Sequence, residues 1–196
     1  MSYSIELELQ KFPKTAMLKD GRQATLRPLH RADEKDFHQL FLGIPDPERM
    51  FIKHRVMDLK VIHDWCNNID FGHNLPLVAL IGGKIVGDAT LHQQLGGWKR
   101  HVGRVSVLVH PEFRGRGLAT RLVSEIIEIA RGAGLEKVEA EFIGEQVAAI
   151  KMFAMLGFSQ LVRLDDYVKD MQAISHDYIL MGLDLKTDEE YASAAG

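Results

Sequence analysis

The stretch Arg104–Ala130, RVSVLVHPEFRGRGLATRLVSEIIEIA, decides how the rest of the chain is read. Val105, Val107 and Val109 recur at every second position, as in a strand. A loop with three charged residues and two glycines then feeds straight into a helix. Its Leu118, Ala119, Leu122, Val123, Ile126, Ile127 and Ala130 form one apolar stripe. Gly115 and Gly117 allow backbone geometry closed to other residues, so successive N–H groups can point into one concavity. The helix N-terminus adds unpaired N–H groups and a partial positive charge, and Arg114 and Arg116 bring full charges beside it. Such a loop is built to hold a phosphate or pyrophosphate.

Towards the N-terminus, Ile5, Leu7 and Leu9 alternate with polar residues and predict a half-exposed strand. Thr15–Leu18 and Gln23–Arg27 flank Asp20-Gly21 and predict a hairpin, closed by Pro28. Apolar spacing predicts helices over Arg31–Leu42 and Asp58–Ile69. A second hairpin spans Leu77–Ile81 and Lys84–Gln93 around Gly82-Gly83, and Arg100–Val109 is the next strand. Past the central helix, which Gly132 or Gly134 ends, Val138–Phe142 predicts a strand and Glu145–Leu156 a helix stopped by Gly157. Phe158–Val168 and His176–Leu185 predict the last strands, and residues from Lys186 a frayed tail. There is no repeat or low-complexity linker, so residues 1–196 read as one domain, with 1–22 a strand-and-hairpin extension. Hairpins outnumber strand–helix–strand units. The expected class is therefore α+β, with a mixed, mostly antiparallel central sheet flanked by helices.

Composition narrows the function. With 46% hydrophobic and 26% charged residues, the 196-residue chain is not of a disordered or collagen-like type. A net charge of -3 without basic runs argues against nucleic-acid or anionic-membrane partners. One Cys excludes an internal disulfide framework and a Cys-based zinc site, and no H-E-x-x-H spacing occurs, so no metal is expected. The first residues lack a basic-then-apolar leader, and no apolar run approaches the ~20 residues of a bilayer span. The expected location is the cytoplasm.

Three phosphate motifs compete for the glycine loop. A P-loop needs Lys then Ser/Thr after its last Gly, and neither is present. The dinucleotide pattern finds Gly115-x-Gly117 and an acid, Glu139 or Glu141, on the next strand. However, Thr120 takes the place of its third Gly or Ala, and hairpins precede it. Arg114-x-x-Gly117-x-Ala119 resembles the Q/R-x-x-G-x-G/A motif of the GNAT superfamily of acetyl-CoA-dependent N-acetyltransferases. The resemblance extends to Val107-Leu108-Val109, to Pro111-Glu112-Phe113, to Ala149 through Leu156-Gly157-Phe158, and to the element order from Gln23 to Leu185.

That resemblance implies a three-layer α/β/α fold in which Arg104–Val109 and Val138–Phe142 splay apart. It implies that Val107, Leu108 and Val109 pair through their backbone with the pantetheine arm. The N–H groups of Arg114, Gly115, Arg116, Gly117, Leu118, Ala119 and Thr120 would hold the pyrophosphate. The donor would be acetyl-CoA or another short acyl-CoA, and the acceptor an amine. Leu18-Lys19-Asp20-Gly21, Ala24 to Leu29, Arg31-Ala32-Asp33-Glu34 and Pro47-Glu48-Arg49 are similar to bacterial acetyltransferase domains that modify lysines on acyl-CoA synthetases. A protein lysine and a small amine both stay open as acceptor. Pairing of Ile5–Leu9 or the final strands across a two-fold is compatible with a homodimer.

The chemistry asks for a base more than for an acid. A lysine-like amine of pKa ~10.4 is only about 0.1% neutral near pH 7.4, a deficit of roughly 4 kcal/mol. A thiol of pKa ~8.5 leaves with modest help. The resemblance implies a Tyr acid on the penultimate helix, where Phe153 stands, and an Asn where Gln146 stands. It also implies, for the lysine-modifying relatives, a Glu within the stretch matching Gly103–Ser106, which has no carboxylate. Glu141, His101 and Asp88 are the candidate bases, each also readable as an ordinary polar strand or strand-end residue. His110 reads as a strand end, Cys66 beside Trp65 as a core thiol. Spacing does not choose between Tyr167 and Tyr178 as substitute acid. A non-catalytic acyl-CoA-binding module is the alternative to an enzyme.

Overall fold

The computed structural model describes residues 5–49, 52 and 55–186. In chain order the elements are α1 (Ile5–Leu9), β1 (Lys14–Met17), β2 (Gln23–Pro28), α2 (Glu34–Leu42), α3 (Asp46–Arg49) and α4 (Leu59–Asn67). There follow β3 (Asn74–Ile81), β4 (Lys84–His92), β5 (Val102–Val109), α5 (Leu118–Gly132), β6 (Lys137–Ile143), α6 (Val147–Met155), β7 (Ser159–Lys169) and β8 (Ser175–Asp184). The expected frayed tail after Lys186 lies outside the described residues.

The expected strand at Ile5–Leu9 is a helix. Five alternating residues, four of them the good helix formers Glu and Leu, satisfy either period. Ile5 and Leu9, four apart, share one helical face and pack on the core. Glu8 is buried against Gly132 of α5, its carboxylate held by Lys11 at 2.6 Å. The second arm of the first hairpin, β2, pairs with β3 from Thr25↔Leu80 to Pro28↔Leu77.

Eight strands form one sheet in the order β1-β2-β3-β4-β5-β6-β8-β7. Turns or loops join the antiparallel pairs β1–β2, β3–β4, β4–β5 and β7–β8, whereas the α5 crossover makes β5 and β6 parallel. That parallel pair holds only from Val102↔Lys137 to Arg104↔Glu139. Beyond it β4 keeps β5 as far as Gly87↔Val109, while β8 draws β6 away as far as Ile143↔Tyr178. The strands therefore diverge towards their C-terminal ends. Gly103 permits the close approach at the other end, where a Cβ would meet Leu91 and Leu135 at 2.7 and 2.8 Å.

Alternation along β3 sends Leu77 and Ala79 to one face and Val78 to the other. The first face carries α1, α5 and α6 over the larger core, with Leu122, Ile126, Val138 and Phe153. The second carries α2 and α4 over Leu29, Phe37, Leu40, Ile62, Cys66 and Ile85. This is the three-layer arrangement expected from the sequence. Among the described residues no helix is long and apolar enough to cross a membrane.

Phe153 of α6 is 1% exposed, with its ring edge-to-face against Phe142 and Phe158 at centroid distances of 5.0 and 4.9 Å. Phe153→Ala should cost about 3–5 kcal/mol, read as a lower urea midpoint at unchanged slope.

Candidate active site

The divergence of β5 and β6 opens a gap at the end where the glycine loop begins. One edge of β5 from Val105 to Val109 has no strand partner, since β6 pairs only as far as Arg104. Val107, Leu108 and Val109 thus offer a strand edge beside the gap that no strand among the described residues covers, with the Val109 carbonyl taken by Arg114 Nε. After His110, a 3-10 turn at Pro111–Phe113 carries the chain into the loop. Gly115 and Gly117 have φ of +73° and +84°, the left-handed region that disfavours a side chain. Gly117 caps α5 without a side-chain hydrogen bond, so the first N–H groups of a 15-residue helix face the loop unclaimed by a cap. Loop, helix terminus and strand edge thus come together at one end of the gap.

The two loop arginines correct the expectation of free charge. Arg114 is clamped to Glu48 of α3, with Nη1 and Nη2 donating to Oε1 and Oε2 at 2.9 and 2.7 Å. Its Nε donates to the Val109 carbonyl at 2.9 Å. Arg116 meets Asp20 of the β1–β2 turn, Nε to Oδ2 at 2.8 Å, and also donates to the Glu112 carbonyl. Both guanidiniums are therefore neutralised by the chain itself, and anion binding at the nest falls to backbone N–H groups and the helix dipole.

The candidate bases stand in three different places. Glu141 of β6 lies just past Glu139, the last residue paired with β5. Tyr178 Oη of β8 donates to its Oε1 at 3.2 Å, and Arg104 Nη1 of β5 lies 3.6 Å from its Oε2. Burial, and then the Glu141 charge, push the Tyr178 hydroxyl up to about 12. Ser106 of β5 shares a 3.0 Å hydrogen bond with His92 Nε2, whose Nδ1 pairs with Asn74 Oδ1 at 2.7 Å. Asp88 of β4 stands opposite Leu108 and is 7% exposed. Its Oδ2 accepts from Thr90 Oγ1 at 3.1 Å, while Oδ1 is buried with no hydrogen-bond partner among the described residues. Burial outweighs the Thr90 bond and pushes this carboxyl up to about 7. His101 sits in the turn before β5, its carbonyl accepting from Glu136 N at 2.9 Å, at the closed end of the strand pair.

The structure brings Glu141 to the gap, buries Asp88 in β4, against which α2 packs, and leaves His101 at the far end. It adds Arg104, Ser106 and His92, which depend on cross-strand register and carry no local signal. Tyr178, rather than the 67%-exposed Tyr167, touches a candidate base. Phe153 brings no oxygen to the buried ring cluster it shares with Phe142 and Phe158. The His110 ring fills the space over Gly43, where a Cβ would lie 2.3 Å from Nε2. Cys66 is buried, its thiol pushed up to about 11 chiefly by burial. Among the described residues no group of three or more His, Cys, Asp or Glu could hold a metal ion.

Comparison with known proteins agrees with this geometry. Residues 34–158 match the family model described as the acetyltransferase (GNAT) family. The chain is 31% identical over 119 residues to acetyltransferase SG1711 of Sodalis glossinidius (strain morsitans), covering 60% of this chain and 70% of that one. The GNAT domain of S. lividans PAT superposes with a TM-score of 0.72 at 21% identity, covering 87% of this chain and 96% of the other. The yncA protein of Salmonella typhimurium, solved with its cofactor acetyl-CoA, gives 0.71 at 22% identity over 84% and 95%. At these identities the two structural likenesses carry the fold.

Proposed function

The chain belongs to the acetyltransferase (GNAT) family, and on that premise we propose that it moves an acetyl group from acetyl-CoA directly onto an amine. The observation that carries this reading is the gap between β5 and β6, with an unpaired strand edge on one side, Glu141 on the other and an uncapped helix N-terminus at its mouth. Acetyl-CoA, when bound, supplies the activated acyl group. The N–H groups of Gly115, Arg116, Gly117, Leu118, Ala119 and Thr120 would hold its pyrophosphate, and the Val107–Val109 edge its pantetheine arm; the expected Arg114 N–H is taken instead by the Pro111 carbonyl at 3.2 Å.

Glu141 takes the proton of the amine as its nitrogen attacks the thioester carbonyl and becomes strongly acidic, and Arg104 and Tyr178 fix its carboxylate. Tyr178 serves by hydrogen bonding and not as the acid. A hydroxyl at about 12 is a weaker acid than the departing thiol of pKa ~8.5, so protonating that thiolate from Tyr178 runs uphill. The thiolate leaves unassisted or takes its proton from water. Direct transfer fits the single Cys of the chain, which is buried on the apolar face of α4 and unsuited to carry an acyl group.

The acceptor is an amine, either a protein lysine or a small molecule. Release of coenzyme A thiol from acetyl-CoA, followed across lysine-bearing proteins, polyamines, amino acids and aminoglycosides, tests the reading and sorts the acceptors. Turnover is expected with at least one class. Tight acetyl-CoA binding without thiol release on any acceptor would overturn the enzyme reading in favour of a binding module.

A further inference from the structure

We propose that Lys19, on the β1–β2 turn, is a ligand for a phosphate of the coenzyme, so that this turn forms one wall of the coenzyme site. The inference rests on the coenzyme reading above and adds to it a residue far from the glycine loop in sequence.

The turn is docked onto the loop at several points. Lys19 N donates to the Arg116 carbonyl at 3.1 Å. Asp20 accepts from Arg116 at 2.8 Å on one side and from Arg22 Nε at 2.8 Å on the other. The Arg22 and Arg116 guanidiniums lie 4.9 and 5.9 Å from the Phe113 ring centroid. The Lys19 stem runs past Gly117, where an added Cβ would meet its carbons at 3.6 to 4.0 Å. The side chain therefore lies along the residue that opens α5, and its ammonium is carried within reach of the loop.

Charge accounting then separates Lys19 from its neighbours. Arg22 and Arg116 pair with Asp20, Arg114 with Glu48, and Lys14 and Arg121 with Glu125. Each of these cations has a carboxylate on this chain. Lys19, exposed and beside the nest, is the one cation of this group with no carboxylate partner among the described residues. A phosphate held by the backbone N–H groups would bring the negative charge that the chain does not. An ammonium is suited to this task, since it meets phosphate as a compact point charge on a flexible stem.

Isothermal titration of CoA and dephospho-CoA into wild type, Lys19→Met, Lys19→Arg and Lys35→Met at fixed ionic strength tests this. Lys35 is exposed at the start of α2, on the other face of the sheet, and controls for loss of one charge. Lys19→Met should bind CoA about 10–100-fold more weakly, with Lys19→Arg recovering most of the loss and Lys35→Met unchanged. A loss confined to CoA assigns Lys19 to the 3′-phosphate, and a loss shared by dephospho-CoA assigns it to the pyrophosphate. Either supports the proposal. Wild-type binding with Lys19→Met unchanged, or Lys35→Met weakened equally, overturns the role of Lys19 and leaves the coenzyme reading standing. Absence of CoA binding by wild type overturns both.

Discussion

Glu141→Gln should lower kcat/KM for the amine acceptor by about 10²–10⁴-fold near pH 7.5 while leaving coenzyme A affinity unchanged. The substitution keeps shape and leaves an amide oxygen for Tyr178 Oη, so the wall of the gap is preserved and only proton acceptance is lost. Coenzyme affinity is insulated because the glycine loop and the β5 edge belong to other elements. The defect should also shrink as pH rises. Each unit rise in pH towards the amine pKa raises its neutral fraction about tenfold, so near pH ~10 the substrate needs little help. Tyr178→Phe removes one hydrogen bond to a charged group and should cost about tenfold, without changing the pH at which the defect closes. A Glu141→Gln enzyme with wild-type kcat/KM at pH 7.5 would remove Glu141 from the chemistry and turn attention to the His92–Ser106 pair on the same sheet face.

What could be read from the chain and what could not divides along a physical line. The Arg104–Ala130 stretch was legible because strand period, paired glycines and helix stripe are each local, and they agree. Ile5–Leu9 was not, because five alternating residues fit both periods and the choice was made by docking on α5. The gap between β5 and β6 was visible only through resemblance, since no residue in either strand signals where a parallel pair stops. Among the carboxylates, Glu141, Asp88 and His101's neighbour Glu136 look alike in sequence. Register alone puts Glu141 beside Tyr178 and Arg104, and Asp88 against Leu108. The loop arginines show the same limit from the other side. Their charge is evident in the sequence, but its neutralisation by Glu48, 66 residues from Arg114, is a tertiary fact.

Asp88→Asn should flatten a pH dependence of stability that wild type carries at this one position. The unfolded carboxyl titrates at 3.8, and burial pushes the folded one up to about 7. Between these values the native state keeps a proton that the unfolded chain has released, so stability falls as pH rises through this window. Below 3.8 both states are protonated and the group costs nothing; above about 7 both are ionised and the full penalty is present. A shift of this size is worth roughly 4 kcal/mol, an order-of-magnitude figure for a group the core fully encloses. The asparagine does not titrate, so wild type should lose about that much relative to Asp88→Asn between pH 4 and 8, read by urea unfolding at each pH. The comparison cancels the depressed carboxyls, such as Asp33 held down by Arg27 against its own desolvation, whose opposite slope is common to both proteins. A difference that stays flat across the window would mean that Asp88 is ionised and paired in solution. Because Oδ1 is closed off from solvent, Asp88→Asn should also retain turnover within about threefold, in contrast to Glu141→Gln. The two acids thus divide by access: the one at the open gap can meet an amine, and the one sealed under α2 can only tax the folded state as it ionises.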